Sequence, residues 1–216
     1  MRPGEEVTLC DGRGADALCK VLSIQGEGAL LQVEKTSPSQ GEPQTKVTVC
    51  QCLCKGDKLE TVTQKAVELG AVEIWPLESA RCVVKVDGNS APKRWPGCKK
   101  SGSRHANGRG VIPQVLAPVS LKQALEEAAR QGEILFFYER GEESLRQALQ
   151  AAGERLFVFV GPEGGFAPEE AALAQSLGAK LLTLGPRILR TETAPLAALS
   201  AIFYEKGDME RRGEAT

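Results

Sequence analysis

Two loops in this chain combine residue types suited to holding a small ligand and acting on it. The first is Gly161-Pro162-Glu163-Gly164-Gly165-Phe166, directly after the apolar run Leu156–Val160. Three glycines without a Cβ let backbone amides approach a ligand closely, and a carboxylate sits among them. A tight strand-to-helix turn needing positive φ accounts for the same glycines equally well. The second is Gly185-Pro186-Arg187-Ile188-Leu189-Arg190-Thr191-Glu192-Thr193-Ala194-Pro195, which packs two arginines and a glutamate into a few positions. An ordinary connection capped by Thr193 leaves those charges unexplained.

Other chemistries find little support. A Gly-x-x-x-x-Gly-Lys-Ser/Thr phosphate loop is missing, and neither Gly12-Arg13-Gly14 nor Gly108-Arg109-Gly110 reaches the third glycine of a dinucleotide fingerprint. Metal binding is disfavoured because His105 is the only histidine and Cys50-x-Cys52-x-Cys54 lacks zinc-ribbon spacing. On a strand those three thiols share one face, where packing is the simpler role. His105 lies in a polar Ser101–His105 run and reads as a surface residue.

The elements that must position the two loops follow from periodicity. Short strands at Glu6–Leu9, Ala17–Ser23 and Ala29–Glu34 are separated by turn formers and predict a small all-β module. Thr36–Pro43 has no periodicity and reads as a linker, with the boundary near Gln44. Strands and helices alternate from there: strand Lys46–Leu53, helix Asp57–Leu69, strand Val72–Leu77, helix Ser120–Gln131, strand Ile134–Tyr138, helix Glu143–Ala151, strand Leu156–Val160, helix Pro168–Leu177 and strand Lys180–Leu184. A last helix starts near Ala194-Pro195. The alternation predicts an α/β domain with a largely parallel sheet and a ligand beyond the carboxyl ends of its strands, where both loops fall.

Composition sets the outer bounds. With 216 residues, 42% of them hydrophobic and 25% charged, the chain suits a globular protein of one or two domains. No apolar window reaches the length of a membrane span and the polar start lacks a signal-peptide core, which points to the cytoplasm. Seven cysteines, an odd number, fit a reducing compartment. The formal net charge of −1 lacks the basic signature of a general nucleic-acid binder, so any RNA affinity must be local.

The first loop, the pattern Leu184-Gly185-x-Arg187-Ile188-Leu189-Arg190-x-Glu192-Thr193-Ala194 and the helix segment Gln64-Lys65-Ala66-x-Glu68-Leu69-Gly70 together resemble the RsmE family. These are SPOUT-class enzymes that methylate N3 of a uridine in small-subunit (16S) ribosomal RNA. The resemblance runs from about Pro3 to Phe203. It implies a PUA-like β-barrel module over residues 1–43 and a SPOUT methyltransferase domain over 44–216, an α/β parallel sheet whose C-terminal segment is threaded into a deep trefoil knot. It implies S-adenosyl-L-methionine as cofactor, held by Gly161, Pro162, Glu163, Gly164, Gly165, Leu184, Gly185, Ile188, Leu189, Arg190 and Thr193, with Glu139 as a further contributor.

Uridine N3 is a weak acid, so the reaction needs a base, a cation near the uracil oxygens, or both. Arg190 and Arg81 are the cation candidates; Glu163 or Glu192 serves as base, or else holds backbone or an arginine. Arg81, Arg109 and Arg187 are the expected RNA contacts. The resemblance further implies a homodimer paired through the knotted domain, 16S rRNA or the small ribosomal subunit as partner, and neither metal nor membrane.

Two departures from the family pattern carry expectations of their own. The chain starts where the family already has a further strand and a His-rich segment behind it, so about one hairpin of the barrel is expected to be missing, leaving sheet edges unpaired. Residues 96–107 stand where the family has an alanine-rich helix, as a short compensated frameshift would produce. These departures motivate a second reading, a catalytically impaired relative that binds cofactor and RNA. A third is a SPOUT methyltransferase acting on another acceptor, such as transfer RNA or a protein.

Overall fold

The computed structural model describes residues 1–26, 28–85 and 109–210. The atypical 96–107 stretch, with Cys98 and His105, lies outside them. The chain forms two units, which are described separately.

The first unit takes in residues 1–42 and 109–112. Its strands β1 (Glu6–Cys10), β2 (Ala15–Gln25) and β3 (Gly28–Pro38) form an antiparallel sheet in the order β1-β2-β3. Asp11 starts the first turn by accepting the Arg13 and Ala15 N–H groups at 2.7 and 3.0 Å, which holds its carboxyl below the usual carboxylate range. The strands outrun the expected ones. Thr36, Ser37 and Pro38, read as linker from their turn-forming types, instead pair with Ala17, Asp16 and Ala15. Among the described residues β3 has only β2 beside it, and proline is tolerated on such an edge. Arg109, expected to face RNA, is 5% exposed. Its Nη2 lies 2.6 Å from Glu42 Oε2 and its Nε 3.2 Å from Oε1, so the guanidinium is turned inward onto a carboxylate of its own unit.

The second unit carries a seven-stranded parallel sheet: β4 (Lys46–Cys52), β5 (Glu73–Glu78), β6 (Gln114–Val115), β7 (Val119–Ser120), β8 (Glu133–Phe137), β9 (Arg155–Val160) and β10 (Lys180–Leu182). The order is β10-β8-β9-β4-β5-β6, with β7 also beside β5. Among the described residues the helices are α1 (Lys58–Leu69), α2 (Leu121–Gln131), α3 (Leu145–Gln150), α4 (Pro168–Ser176) and α5 (Ala194–Glu205).

Both faces of the sheet are covered, which is why β4 and β9 read as continuous apolar runs rather than alternating ones. Val47, Val49, Leu156, Val158 and Val160 pack with Val62 and Ala66 of α1 and Leu199, Ile202 and Phe203 of α5. Cys50, Cys52, Phe157 and Phe159 pack on the other face with Leu121 and Leu125 of α2 and Ala171 and Ala174 of α4. The buried thiols of Cys50 and Cys52 are thus packing groups, and burial raises both well above the ordinary thiol range.

Caps fix two of the helices. Ser120 accepts the Gln123 N–H while the Gln123 side chain returns to Ser120, closing a capping box on α2. Gly70, at φ 115°, ends α1 in the left-handed conformation that suits glycine. The central strand β4 is flanked by β9 on one side and β5 on the other, and a switch point of this kind is where a ligand crevice is expected, at the carboxyl end of the strand.

Candidate active site

The strand order brings the two loops together at that crevice. Gly161 to Gly165 leave the carboxyl end of β9, next to β4. The second loop follows β10 at the edge of the sheet, and its Thr191 reaches the same place. Thr191 closes the junction: its hydroxyl donates to the Gly161 carbonyl at 2.7 Å and accepts from Gln51 Nε2 at 3.0 Å. Gln51 Nε2 also donates to the Cys52 carbonyl at 3.1 Å. Both partners demand an N–H donor, so the amide orientation is determined, and Gln51 Oε1 is left buried without a hydrogen bond.

A second link is ionic. Lys58, the first residue of α1, places Nζ 3.1 Å from Glu163 Oε1 and 3.5 Å from Glu192 Oε2. Glu163 Oε1 also accepts the Lys55 N–H at 3.1 Å. Burial pushes the Glu163 carboxyl up, but hydrogen bonds from its own N–H, Lys58 and Lys55 more than reverse this and hold it below the usual range. The Lys58 ammonium is pushed up by the Glu163 bond. Sequence reasoning offered backbone or an arginine as partner for these carboxylates; Glu163 does hold backbone, through the Lys55 N–H, and the cation shared by both is a lysine.

The other expected residues fall as follows. Arg81, after β5, donates from Nη1 to the Gly164 carbonyl at 3.0 Å, and the neighbouring Ala80 N–H reaches Glu170 of α4 at 2.8 Å. Pro162 is buried, and Gly165 has φ 65°. Leu184 and Leu189 are half-buried against the core, Gly185 has φ 93° with open space where a Cβ would stand, and Ile188 is 90% exposed. Arg187 and Arg190 are exposed, and the Arg190 carbonyl accepts the Thr193 and Ala194 N–H groups as the chain enters α5. Thr193 makes no side-chain cap bond, which removes the capping explanation for the loop. Glu139 follows β8, exposed, with its carboxylate 4.0 Å from the Arg140 guanidinium.

Three residues of the site were missed from sequence. Gln51 left a signal, a fully buried polar residue inside an otherwise apolar strand. Lys58 left none, being one of many charged residues at helix starts. Cys82 packs beneath the Arg81 turn, its Sγ 3.2 Å from Ser79 Oγ and 3.4 Å from the Ser79 N. Beside it a cleft of about 470 Å³ is lined by Glu78, Ser79, Ala80, Lys85, Pro118, Val119, Ser120 and Gln123.

Comparison with known proteins places this geometry. Residues 41–203 match the RNA methyltransferase domain family. The ribosomal RNA small subunit methyltransferase E of Bacillus subtilis is 36% identical over 95% of this chain and 84% of its own length. A crystal structure of a ribosomal RNA small subunit methyltransferase E from Neisseria gonorrhoeae bound to S-adenosyl methionine superposes with a TM-score of 0.84 at 30% identity, covering 94% of this chain and 84% of that one. A methyltransferase of Legionella pneumophila in complex with the same cofactor gives a TM-score of 0.79 at 31% identity over the same shares.

Proposed function

We propose that this chain, which belongs to the ribosomal RNA small subunit methyltransferase E family of RNA methyltransferases, moves a methyl group from S-adenosylmethionine to N3 of a uridine in small-subunit ribosomal RNA. The observation that carries this reading is the closure of two loops on each other through Thr191 and Gly161, beside the buried Gln51 Oε1 that lacks a donor.

The residues present suit the cofactor. Gln51 Oε1 is buried without a hydrogen bond and Glu192 adds a carboxylate, while S-adenosylmethionine brings amine and ammonium donors together with a cationic sulfonium. Gly161, Gly164, Gly165 and Gly185 keep backbone groups approachable, while Leu184, Ile188 and Leu189 offer apolar surface to the adenine. When bound, the cofactor supplies the electrophilic methyl group. Every other step belongs to the chain.

The two loops fix the donor in line with the acceptor, which is the main source of rate in a single displacement. Glu163 is a poor base, being lowered in pKa and engaged by Lys58 and Lys55. That leaves Glu192 as the carboxylate better suited to the N3 proton. Arg190 and Arg81 face the developing charge on the uracil oxygens, and Arg187 extends the cationic side toward RNA phosphate. The cleft beside the Arg81 turn has room for a neighbouring nucleotide. The target must be single-stranded or splayed so that its Watson–Crick edge is free.

The wider architecture follows the family reading. Return of the chain from the edge strand β10 to the centre of the sheet is the path a trefoil knot requires. The first unit serves as the PUA-like module. A homodimer forms through the second unit, where the 90% exposed Ile188 and 73% exposed Tyr204 are apolar groups suited to burial by another copy. No helix among the described residues is long and apolar enough to cross a membrane. The enzyme is assigned to the cytoplasm, where its RNA is made. Incubation with undermethylated small ribosomal subunits and methyl-labelled S-adenosylmethionine should place label on a uridine N3; label on a ribose oxygen, on another base atom, or nowhere refutes the assignment.

A further inference from the structure

We infer that Lys58 is a positioning residue, an ionic clamp that holds both cofactor loops in register by binding Glu163 of the first and Glu192 of the second. This rests on the S-adenosylmethionine reading of the site for its effect on binding, though not for its effect on the loops. Lys58 opens α1, and that helix is anchored through the fully buried Val62, Ala66 and Val67. The ammonium therefore projects from a rigid element toward two loops that reach the crevice from separate strands. Its distances of 3.1 and 3.5 Å to the two carboxylates also bound how far apart those carboxylates stand. Without the cation two negative charges would face each other at close range and one would resist ionisation.

The clamp acts on geometry rather than on global stability. Lys58, Glu163 and Glu192 side chains are each about one-third exposed, at 32%, 31% and 33%. Ion pairs at such exposure contribute little to the folding equilibrium. The cost of breaking this one falls on the loops, whose direct link is the Thr191 hydroxyl. Lys58 acts through Glu163 and Glu192, so its removal should misplace the donor by loosening the loops and also free the Glu192 carboxylate of its cation.

The test compares K58M, K58R and K58M/E163Q with the parent protein. Hydrogen exchange on ligand-free protein should show residues 161–165 and 185–193 losing protection in K58M, with the unfolding midpoint in urea nearly unchanged. Calorimetry should show S-adenosylmethionine binding weakened about tenfold, the scale of one lost charged hydrogen bond, and largely restored in K58R. K58M should also acquire a pH dependence of cofactor affinity in the acid range, from the carboxylate pair it leaves exposed to mutual repulsion. K58M/E163Q, lacking one of those charges, should lose that pH dependence and bind better than K58M. Unchanged loop protection in K58M overturns the clamp, whatever the calorimetry gives. So does cofactor affinity within twofold of the parent, or a K58R that behaves like K58M. Failure of the parent itself to bind S-adenosylmethionine counts against the cofactor reading, and the exchange data then decide the clamp alone.

Discussion

Replacing Thr191 by valine keeps the side-chain shape and deletes a hydroxyl with two hydrogen bonds. The first, donated to the Gly161 carbonyl at 2.7 Å, is worth about 1 kcal/mol net. Gly161 is half-buried, so its carbonyl can turn to water and adds little further cost. The second loss is larger: Gln51, with no exposed surface, keeps an N–H with no acceptor, at about 1 to 3 kcal/mol. The sum for T191V is a destabilisation of about 2 to 4 kcal/mol. Gln51→Leu should behave quite differently. It gives up the bonds to Thr191 and Cys52 but also removes the unpaired Oε1, while Thr191 still donates to Gly161, so the net change should stay within about 1 kcal/mol. The double mutant should therefore be no less stable than T191V alone, because the orphaned amide is gone. Urea unfolding of the four proteins measures the cycle. If T191V lies within about 0.5 kcal/mol of the parent, or if the two single losses simply add, the hydroxyl is not the shared hub described here.

Arg190→Ala should leave S-adenosylmethionine affinity within a few-fold and lower single-turnover methyl transfer about a hundredfold, the scale for one preorganised charge-stabilising donor. Collapse of affinity with normal transfer at saturating cofactor would make Arg190 an organiser of its loop instead. Cys82 is lowered to about 6 by its hydrogen bond with the Cys52 thiol, helped by Ser79 and Lys85 and opposed by burial, so its alkylation, followed by peptide mass spectrometry, should titrate near pH 6 while Cys54, raised by burial to about 12, stays unreactive. Because the folded value lies below the ordinary 9.0, the thiolate's contribution to stability is full above pH 9 and is lost as pH falls through 6; Cys82→Ala should flatten the urea midpoint over that window.

The strands and helices that position the site were largely legible. β4, β9, α1 and α2 were found within a residue or two because burial on two faces leaves continuous apolar runs and helices expose their period. Failures had local causes. β6 and β7 are two residues each, beside Pro113 and Pro118, too short for any period to register. Thr36 to Pro38 carry turn-forming side chains, yet the ladder with β2 decides their conformation. Arg109 was expected at RNA from the family resemblance, and only the fold brings Glu42 to it. Of the site, the glycines announced themselves through their special backbone freedom. The polar links did not: Gln51 with Thr191, and Lys58 with Glu163, lie far apart in the chain, and pairing across such distances leaves no mark on local pattern.

The Gln51 to Thr191 bond spans 140 positions. That separation has a consequence for the order of events on the ribosome. A nascent chain that has released β4, β5, β8 and β9 can already order the middle of its sheet, because those strands pair among themselves. It still has no Thr191 to seat on Gly161 and no Glu192 to meet Lys58. Long-range closure of this kind comes late, since the entropy of the intervening chain must be lost before the contact repays it. Competence for methyl transfer therefore waits on the segment that follows β10, and a chain that stops between Gly165 and Thr191 has β4, β5, β8 and β9 but lacks the contact that closes their mouth.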